Sequence, residues 1–360
     1  MPSQSESAES RSKQASGVVS LRTLSAHLGL SVAAISRVLS GSPAARSIPP
    51  ATQERIFAAA RELNYRPNLL ARSLRRGQST SVGVLIPDMS EGYSAHVLAG
   101  IEETLSAAGY VLVMITHHHR EEVLAKSERI FAERAVDAVI LVGTTLQLYG
   151  TTPTVTVSCP DPHPHVTNIV LDHARAAELA LRHLHGLGHR KIAVIKGHPV
   201  SSDTEVRWRS IERAAAALGL PLPPERVVQM DEELQTNEPG YRATRKLLGQ
   251  SRDFSAVFAF NDVSAIGAVA ALQDAGLSVP EDVSVMGFDD VAFARVHRPS
   301  LTTVRQPLHQ MGVMAANAVL DQLSRSGEAH TAAVEVVVEP ELMVRATTMS
   351  AAVCAVAAAA

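Results

Sequence analysis

The stretch SLRTLSAHLGLSVAAISRVLSG, residues Ser20–Gly41, contains start and stop signals for two short helices. Ser20 and Ser31 each precede an apolar run and can cap a helix, because a serine hydroxyl accepts the backbone N–H groups that a first turn leaves free. Gly29 and Gly41 follow those runs, and glycine tolerates the left-handed conformation in which helices often end. The stretch therefore predicts two helices joined by Gly-Leu-Ser, the pattern of a helix-turn-helix.

A third helix is predicted over residues 51–63, after two prolines, with Ile56 and Ala60 on its apolar face. In a helix-turn-helix the second helix lies in the major groove of DNA, and its N-terminal residues meet base edges. Small side chains there would let the helix approach closely, and an arginine could bond guanine or a phosphate. The DNA contacts predicted in this helix are Ser31, Val32, Ala33, Ser36 and Arg37. A three-helix bundle that contacts another protein is the alternative, since a fold does not fix a function.

Charge is unevenly distributed along the chain. Residues 1–80 hold 11 Lys and Arg against 4 Asp and Glu, whereas the remainder holds 22 against 32. A basic N-terminal module on an acidic body favours binding of nucleic acid. A short basic helix is predicted after Pro67, and a helix of that length is marginal alone in water, so DNA is expected to order it. Its candidate DNA contacts are Asn68, Ala71, Arg72 and Arg75. A plain linker is the alternative.

From residue 81 onward the sequence alternates between apolar strands and helices. SVGVLIPD reads as a buried parallel strand because its apolar run is continuous. Helices are predicted over residues 95–108, 121–135, 173–187, 204–218, 239–250 and 262–276, with apolar strands between them. This repeated alternation indicates two doubly wound parallel sheets. Two similar lobes in one chain usually clamp a ligand between them, beyond the carboxyl ends of the strands.

Six motifs resemble, in this order, the lactose/galactose repressor family of bacterial transcription regulators. They are SVAAISRVLSGSP, ELNYRPNLLARSLRRGQST, LGHRKIAVI, FAFNDVSAIGA, VPEDVSVMGFDDVAFA and PSLTTVRQP. The resemblance implies a homodimer on a near-palindromic operator in double-stranded DNA, with Leu74 of each hinge helix inserted into the minor groove. It also implies the two-lobed fold of periplasmic sugar-binding proteins, with the chain crossing between the lobes near residues 171, 305 and 336.

We therefore expect a multidomain α/β protein: an N-terminal three-helix helix-turn-helix domain, a hinge helix, and two doubly wound parallel-sheet lobes of the periplasmic-binding-protein type. The expected segments are a disordered tail (1–18), the helix-turn-helix (19–66), the hinge helix and linker (67–80), the body (81–348) and an Ala-rich tail (349–360). Within the body, the N-lobe is expected to hold residues 81–171 and 306–335 and the C-lobe residues 172–305 and 336–348. The C-terminal end lacks leucine heptads, so a dimer is expected.

The ends of the predicted strands and the family resemblance together nominate an effector site. Tyr93 could stack on a sugar ring, and Arg207 corresponds to the family's effector arginine. The full set of candidates is Tyr93, Ser94, His117, Arg207, Trp208, Asn261 and Asp289. Plainer readings exist for several of them, such as Asn261 or Asp262 as a helix cap and Arg207 in a surface salt bridge. A sugar or sugar derivative is the expected effector, with sugar phosphates, sugar acids and purines left open.

The sequence predicts neither a cofactor, nor a metal, nor an enzyme. His117, His118 and His119 are adjacent, so they alternate in direction and cannot all bind one tetrahedral metal, and the motifs G-x-S-x-G, Walker A and H-E-x-x-H are missing. No apolar run is long enough to span a membrane, and no secretory signal is visible, so a cytoplasmic protein is expected. A sugar-binding protein without a DNA role and an activator on the same scaffold are the rival functions.

Overall fold

The computed structural model describes residues 19–65, 78–89, 92–144, 152–160, 166–231, 236–325 and 334–351. The chain divides into two compact units, one that ends at Gly77 and one that begins at Gln78. The predicted helix at the hinge, with candidates Asn68, Ala71, Arg72, Leu74 and Arg75, lies outside the described residues, as do the tail residues 1–18 and 352–360.

The N-terminal unit is the predicted helix-turn-helix. Its helices are α1 (Leu21–Leu28), α2 (Val32–Leu39) and α3 (Pro50–Glu62), with a short 3-10 helix at Pro43–Ser47 that the sequence analysis did not predict. Ser20 and Thr23 form a reciprocal cap at the start of α1, and Gly29 ends it at φ 68°. The core consists of Leu24, Ile35, Val38, Ala45, Ile56, Ala59 and Ala60.

Two prolines begin α3, and a glutamine in its first turn joins it to the preceding segment. Pro49 is the N-cap and makes no side-chain bond to the helix, while Pro50 occupies the first helical position, where its missing N–H costs nothing. The Gln53 side chain donates to the carbonyls of Ala45 (3.0 Å) and Ile48 (2.8 Å). This residue therefore ties α3 to the 3-10 helix without a conventional cap.

The second unit contains two six-stranded sheets, each forming one lobe. Sheet 1 has the order β11-β5-β4-β3-β1-β2 and sheet 2 the order β12-β10-β9-β8-β6-β7. All pairs are parallel except β10 with β12. The strands of sheet 1 are β1 Ser81–Ile86, β2 Val111–Thr116, β3 Ala138–Val142, β4 Thr154–Val157, β5 Thr167–Leu171 and β11 Glu335–Val338; those of sheet 2 are β6 Ile192–Lys196, β7 Val227–Gln229, β8 Ala256–Ala259, β9 Ser284–Asp289, β10 Thr302–Arg305 and β12 Glu341–Met343.

Helices pack on these sheets as in a doubly wound fold. The first lobe carries α4 Tyr93–Ala107, α5 Glu121–Glu133 and α11 Leu308–Ser324; the second carries α6 His173–Gly186, α7 Thr204–Ala217, α8 Glu238–Gln250, α9 Asp262–Asp274 and α10 Ala292–Val296. Helices α4 and α11 touch through glycines: a Cβ atom added at Gly100 would lie 2.1 Å from the His309 carbonyl oxygen. In the described part of the chain, none of these helices combines the length and apolarity needed to cross a membrane.

The chain crosses between the lobes three times. It leaves the first lobe after Leu171, at the end of β5, and leaves the second after Arg305, at the end of β10. The third crossing follows Val338, because β11 pairs with β5 over residues 335–338. The sequence predicted this crossing near residue 336 and residues 336–338 in the C-lobe. The assignment of these three residues is wrong, because the valines of β11 complete the edge of sheet 1.

The first residues of the predicted Ala-rich tail are attached to the second lobe. His189, which is fully buried, contacts the Met349 carbonyl oxygen through Nε2 (3.0 Å), and the Ala351 N–H donates to the Leu187 carbonyl (2.9 Å). The side chain of Thr347 accepts the Thr302 N–H at 2.8 Å. Residues 347–351 therefore belong to the fold of this lobe.

Candidate functional site

Helix α2 and its cap present an exposed face. Ser31, Val32, Ala33 and Arg37 are exposed and Ser36 is half-buried, whereas Ile35 and Val38 are buried against the other helices. The Ser31 hydroxyl caps the helix by accepting the Ala34 N–H at 3.2 Å. The helical period thus separates a core-facing stripe from the five residues predicted to contact DNA. These five lie on one accessible surface of the unit.

A cleft lies between the two lobes of the second unit. The first lobe contributes Pro87, Asp88, Gly92, Tyr93, Ser94 and Gly143, and the second contributes residues that include His198, Asp203, Arg207, Phe260, Asn261 and Asp289. Most of these residues follow the carboxyl ends of strands, where open parallel sheets place their ligands. Five of the seven predicted effector residues, Tyr93, Ser94, Arg207, Asn261 and Asp289, line it.

Arg207 is the central cation of the cleft. It is 4% exposed, and its Nη2 donates to Asp203 Oδ2 at 3.2 Å while Nη1 donates to the Phe260 carbonyl. The guanidinium carbon lies 4.4 Å from the ring centre of Phe260 and 3.7 Å from that of Phe288, distances at which a ring face attracts a cation. Arg207 is therefore a buried, fixed group, and the surface salt bridge considered from the sequence is not what the structure contains.

Asp203 is the buried partner of Arg207 and was not predicted. Burial alone would raise the pKa of Asp203, but His173 and Arg207 outweigh that effect and hold it below its ordinary value. The His173 Nε2 atom lies 3.7 Å from Asp203 Oδ1, and its ring stacks on Phe288 with centroids 6.4 Å apart. Asp203 is thus an ionised carboxylate inside the cleft.

Asp289 is a second buried carboxyl, at the end of β9. Its Oδ1 accepts a bond from Gln306 Nε2 at 2.6 Å. Burial raises the pKa of Asp289 from 3.8 to about 6, although the charge of Arg207 and the bond from Gln306 oppose that shift. A raised pKa with both cation and carboxylate neighbours is typical of a ligand-binding site.

Asn261 and Tyr93 frame the cleft from opposite lobes. Asn261 lines the cleft and also caps α9, since its Oδ1 accepts the Ser264 N–H at 2.8 Å. The Tyr93 hydroxyl donates to Ser158 Oγ at 2.7 Å, and burial raises the pKa of Tyr93, so the hydroxyl stays protonated. Ser94, the next residue in α4, is buried at the cleft wall.

Two predicted effector residues, Trp208 and His117, are not part of the described cleft lining. Consecutive helical residues point about 100° apart, so Trp208 cannot face the cleft with Arg207; it packs on the core, 4.6 Å below the Lys196 ammonium. His117 continues the β1–β2 ladder by donating to the Ile86 carbonyl, and its Nδ1 accepts the His119 N–H. Burial lowers the pKa of His117 to about 4. His198 occupies the cleft instead.

Several cleft residues were missed by sequence reasoning. Asp203 stands four residues before Arg207, and that helical spacing was a usable signal for an ion pair. Phe260, which lines the cleft, has no local pattern that distinguishes it. The same holds for Gln306, which bonds to the lining residue Asp289 from across the second crossing. Within the ranges that the structure describes, no three His, Cys, Asp or Glu side chains come together as a metal site.

Comparisons with known proteins agree with this architecture. Residues 26–68 match the family described as bacterial regulatory proteins, lacI family, and residues 181–348 match the periplasmic binding protein-like domain. The HTH-type transcriptional repressor PurR of Haemophilus influenzae is 30% identical over 329 residues, which are 89% of this chain and 96% of that protein. The PurR repressor of Erwinia tasmaniensis is 31% identical over 320 residues, which are 86% and 92% of the two chains.

Solved structures of transcriptional regulators are also similar to this chain. The transcriptional regulator CelR in complex with cellobiose has a TM-score of 0.68 and 28% identity, covering 91% of this chain and 99% of that one. The lac repressor bound to ONPG in its repressed state has a TM-score of 0.82 and 24% identity, covering 92% of this chain and 100% of that one. This similarity is one of fold. The relatives are named as repressors and regulators, not as enzymes.

Proposed function

Because this chain belongs to the lacI family of bacterial regulatory proteins, we propose that it is a transcriptional repressor that binds a near-palindromic operator as a homodimer. A small metabolite held in the cleft would control DNA binding, and the protein would act in the cytoplasm. This proposal is carried by two features found in one chain. One is the exposed surface formed by Ser31, Val32, Ala33, Ser36 and Arg37, here called the recognition face, and the other is a cleft built from buried polar side chains.

The recognition face has the chemistry for reading base edges. Val32 and Ala33 present small apolar groups that suit thymine methyls, and Arg37 can bond guanine with two N–H groups. Two copies of this face, related by the dimer axis, would read two half-sites of an inverted repeat. This symmetry is the reason for expecting a palindrome.

The charges of the cleft favour a neutral, polyhydroxylated effector. Asp88, Asp203 and Asp289 line it together with Arg207, and Arg207 is already paired with Asp203 at 3.2 Å. A phosphate or carboxylate on the ligand would meet carboxylates with no unpaired cation among the described lining residues. Sugar hydroxyls can donate to Asp289 and accept from Asn261 and Arg207 at the same time. We therefore favour a sugar over a sugar phosphate or a sugar acid.

Control of DNA binding requires that the effector bind two states of the protein differently. The cleft has walls in both lobes, so a ligand that bonds both walls favours one degree of lobe closure. Tyr93 and Ser94 belong to the first lobe, and Arg207 and Asp289 to the second. Closure is therefore the property that we expect the effector to change.

The operator is tested by selecting bound duplexes from a random pool at about 150 mM salt, since affinity depends strongly on salt. Enrichment of an inverted repeat is expected, and Arg37→Ala should lose the enriched sequence. Arg61→Ala, which removes an exposed arginine on α3, is the matched control for charge. Failure to enrich any sequence, with and without a metabolite mixture, would refute sequence-specific binding.

The effector class is tested with the chain's single tryptophan, Trp208. It follows Arg207 in α7, so its fluorescence reports on the second lobe beside the cleft. We expect a panel of neutral sugars to contain compounds that change this fluorescence, and their phosphorylated forms to bind more weakly. Tighter binding of the phosphorylated forms would contradict the charge argument.

A further inference from the structure

Asp262 is a carboxyl group buried completely behind the cleft. It is the first residue of α9, next to the cleft residue Asn261, and its exposed fraction is 0%. Its Oδ2 accepts the backbone N–H of Val291 at 2.8 Å, and its Oδ1 accepts the hydroxyl of Thr303. Burying a carboxyl group is costly unless it is hydrogen-bonded, and these two bonds come from different segments of the second lobe. Asp262 is therefore placed to fix those segments relative to α9.

The segment that it holds is the turn after β9, which has an unusual backbone. Asp289 has φ 108° and Asp290 has φ 56°, so two successive residues other than glycine adopt positive φ. Such conformations persist only where surrounding contacts determine them. Val291 follows directly, and its N–H bond to Asp262 fixes the end of the turn.

Packing around Asp262 leaves room for the carboxyl group. A Cβ atom added at Gly287 would lie 2.4 Å from Asp262 Oδ1 and 3.1 Å from its Cα atom. Strand β9 therefore carries its glycine at the point where α9 approaches most closely. A larger residue at position 287 would push Asp262 away from the turn.

We propose that Asp262 is a positioning residue for the effector site: its bond to Val291 holds the left-handed turn that directs Asp289 into the cleft. The proposal rests on the proposed function of the cleft. It assigns to Asp262 no contact with the ligand. A purely structural role, in which Asp262 only stabilises the start of α9, is the alternative that an experiment must separate.

The titration of the Asp289 carboxyl group reports its position. Its charged and titratable neighbours are Tyr93 and His96 on α4, Asp203 and Arg207 at the start of α7, Asp262 on α9, and the adjacent Asp290. Burial raises the pKa of Asp262 well above its ordinary value, and the nearby Asp289 adds to that shift. Asparagine carries no charge, and its amide oxygen can still accept the Val291 N–H while its amide nitrogen donates to the Thr303 hydroxyl oxygen, so this substitution removes the charge of residue 262 and keeps its two contacts.

The experiment is a carbon-13 NMR titration of the aspartate carboxyl groups in the full chain without ligand. Wild type and Asp262→Asn should both show the raised pKa of Asp289. In Asp262→Val the Val291 N–H loses its acceptor and the turn is no longer held. The Asp289 carboxyl group then becomes accessible to water, so its pKa should fall by about one unit or more. Asp274→Val, at the exposed end of the same helix, is the matched control and should change nothing.

An unchanged titration of Asp289 in a folded Asp262→Val protein would overturn the proposal. If that variant does not fold, Gly287→Ala displaces the Asp262 carboxyl group from the Val291 N–H, because the added Cβ atom would lie 2.4 Å from Asp262 Oδ1. It should lower the pKa of Asp289 in the same direction, and no change there would also overturn the proposal. Since no ligand enters these measurements, their outcome is independent of whether the cleft binds an effector.

Discussion

Removal of Arg207 should destabilise the second lobe far more than removal of an equivalent surface arginine. The start of helix α7 allows this comparison, because it contains two ion pairs with the same sequence spacing. The side chains of Asp203 and Arg207 are 11% and 5% exposed, whereas those of Glu205 and Arg209 are 63% and 65% exposed. Both pairs join an acidic residue to an arginine four positions later, so they differ chiefly in burial.

The magnitude follows from what Arg207→Ala leaves behind. Among the residues that the structure describes, Asp203 would then keep His173 as its one nearby cationic partner, with Nε2 at 3.7 Å. Breaking a buried pair by removing one member costs about 3–5 kcal/mol, because the remaining charge is uncompensated. The lost contacts with Phe260 and Phe288 act in the same direction. An exposed pair at this spacing is worth about 0.3–0.5 kcal/mol, so Arg209→Ala should cost little.

A second substitution isolates the charge effect. Asp203→Asn added to Arg207→Ala removes the uncompensated charge, so the double variant should be more stable than Arg207→Ala alone by about 2 kcal/mol. Urea unfolding at pH 7.5, followed by the fluorescence of Trp208, reports the second lobe without interference from the N-terminal unit. A cost below about 1 kcal/mol for Arg207→Ala, or a further loss on adding Asp203→Asn, would refute the reasoning.

Three further outcomes are expected. Gly100→Ala should lower the free energy of unfolding of the body by about 1–3 kcal/mol, because its Cβ atom would collide with the His309 carbonyl oxygen; Gly249→Ala, with open space around it, should not. Ile35→Ala removes a fully buried side chain from the small core of the N-terminal unit and should cost about 2–5 kcal/mol, which calorimetry would show as loss of that unit's transition while the body's is kept. For Asp289, a pKa raised from 3.8 to about 6 means that the folded state binds the extra proton, so stability is lost as pH rises from about 4 to about 6. Asp289→Asn should therefore stabilise the protein by up to about 3 kcal/mol at pH 7.5 and hardly at pH 4; an equal gain at both pH values in urea unfolding would contradict this sign.

The N-terminal unit was predictable because its signals are local. Ser20, Gly29 and Ser31 act on the turn in which they stand, and the spacing of Leu24, Ile35 and Val38 sets the buried face. Helices α1 and α2 begin directly after the predicted caps Ser20 and Ser31, and α3 lies within one residue of the predicted range 51–63. Only the 3-10 helix at Pro43–Ser47 was missed, and a single short turn leaves no periodic pattern to detect.

The body was predicted less completely because several of its elements depend on distant partners. Strands β10, β11 and β12 have three or four residues each, too few to distinguish alternation from chance. Helix α11 continues the chain after the second crossing and packs against α4, about 200 residues earlier in sequence. The cleft residues Arg207, Asn261 and Asp289 were found through the family resemblance. The bond from Gln306 to Asp289 was not, because it depends on a crossing whose path the local sequence does not encode.

The turn at Asp289 and Asp290 joins the cleft to the crossings between the lobes. Asp289 faces the cleft and accepts a bond from Gln306, the residue that follows the second crossing. Asp290 accepts bonds from Arg305, at that crossing, and from Arg345, beyond the third. Burial would raise the pKa of Asp290, but these two arginines hold it below its ordinary value, so the network stays charged. A ligand that moved Asp289 would therefore also act on Asp290, and through it on Arg305 and Arg345. The proposed effector site and the connections between the lobes are thus joined by hydrogen bonds at this turn.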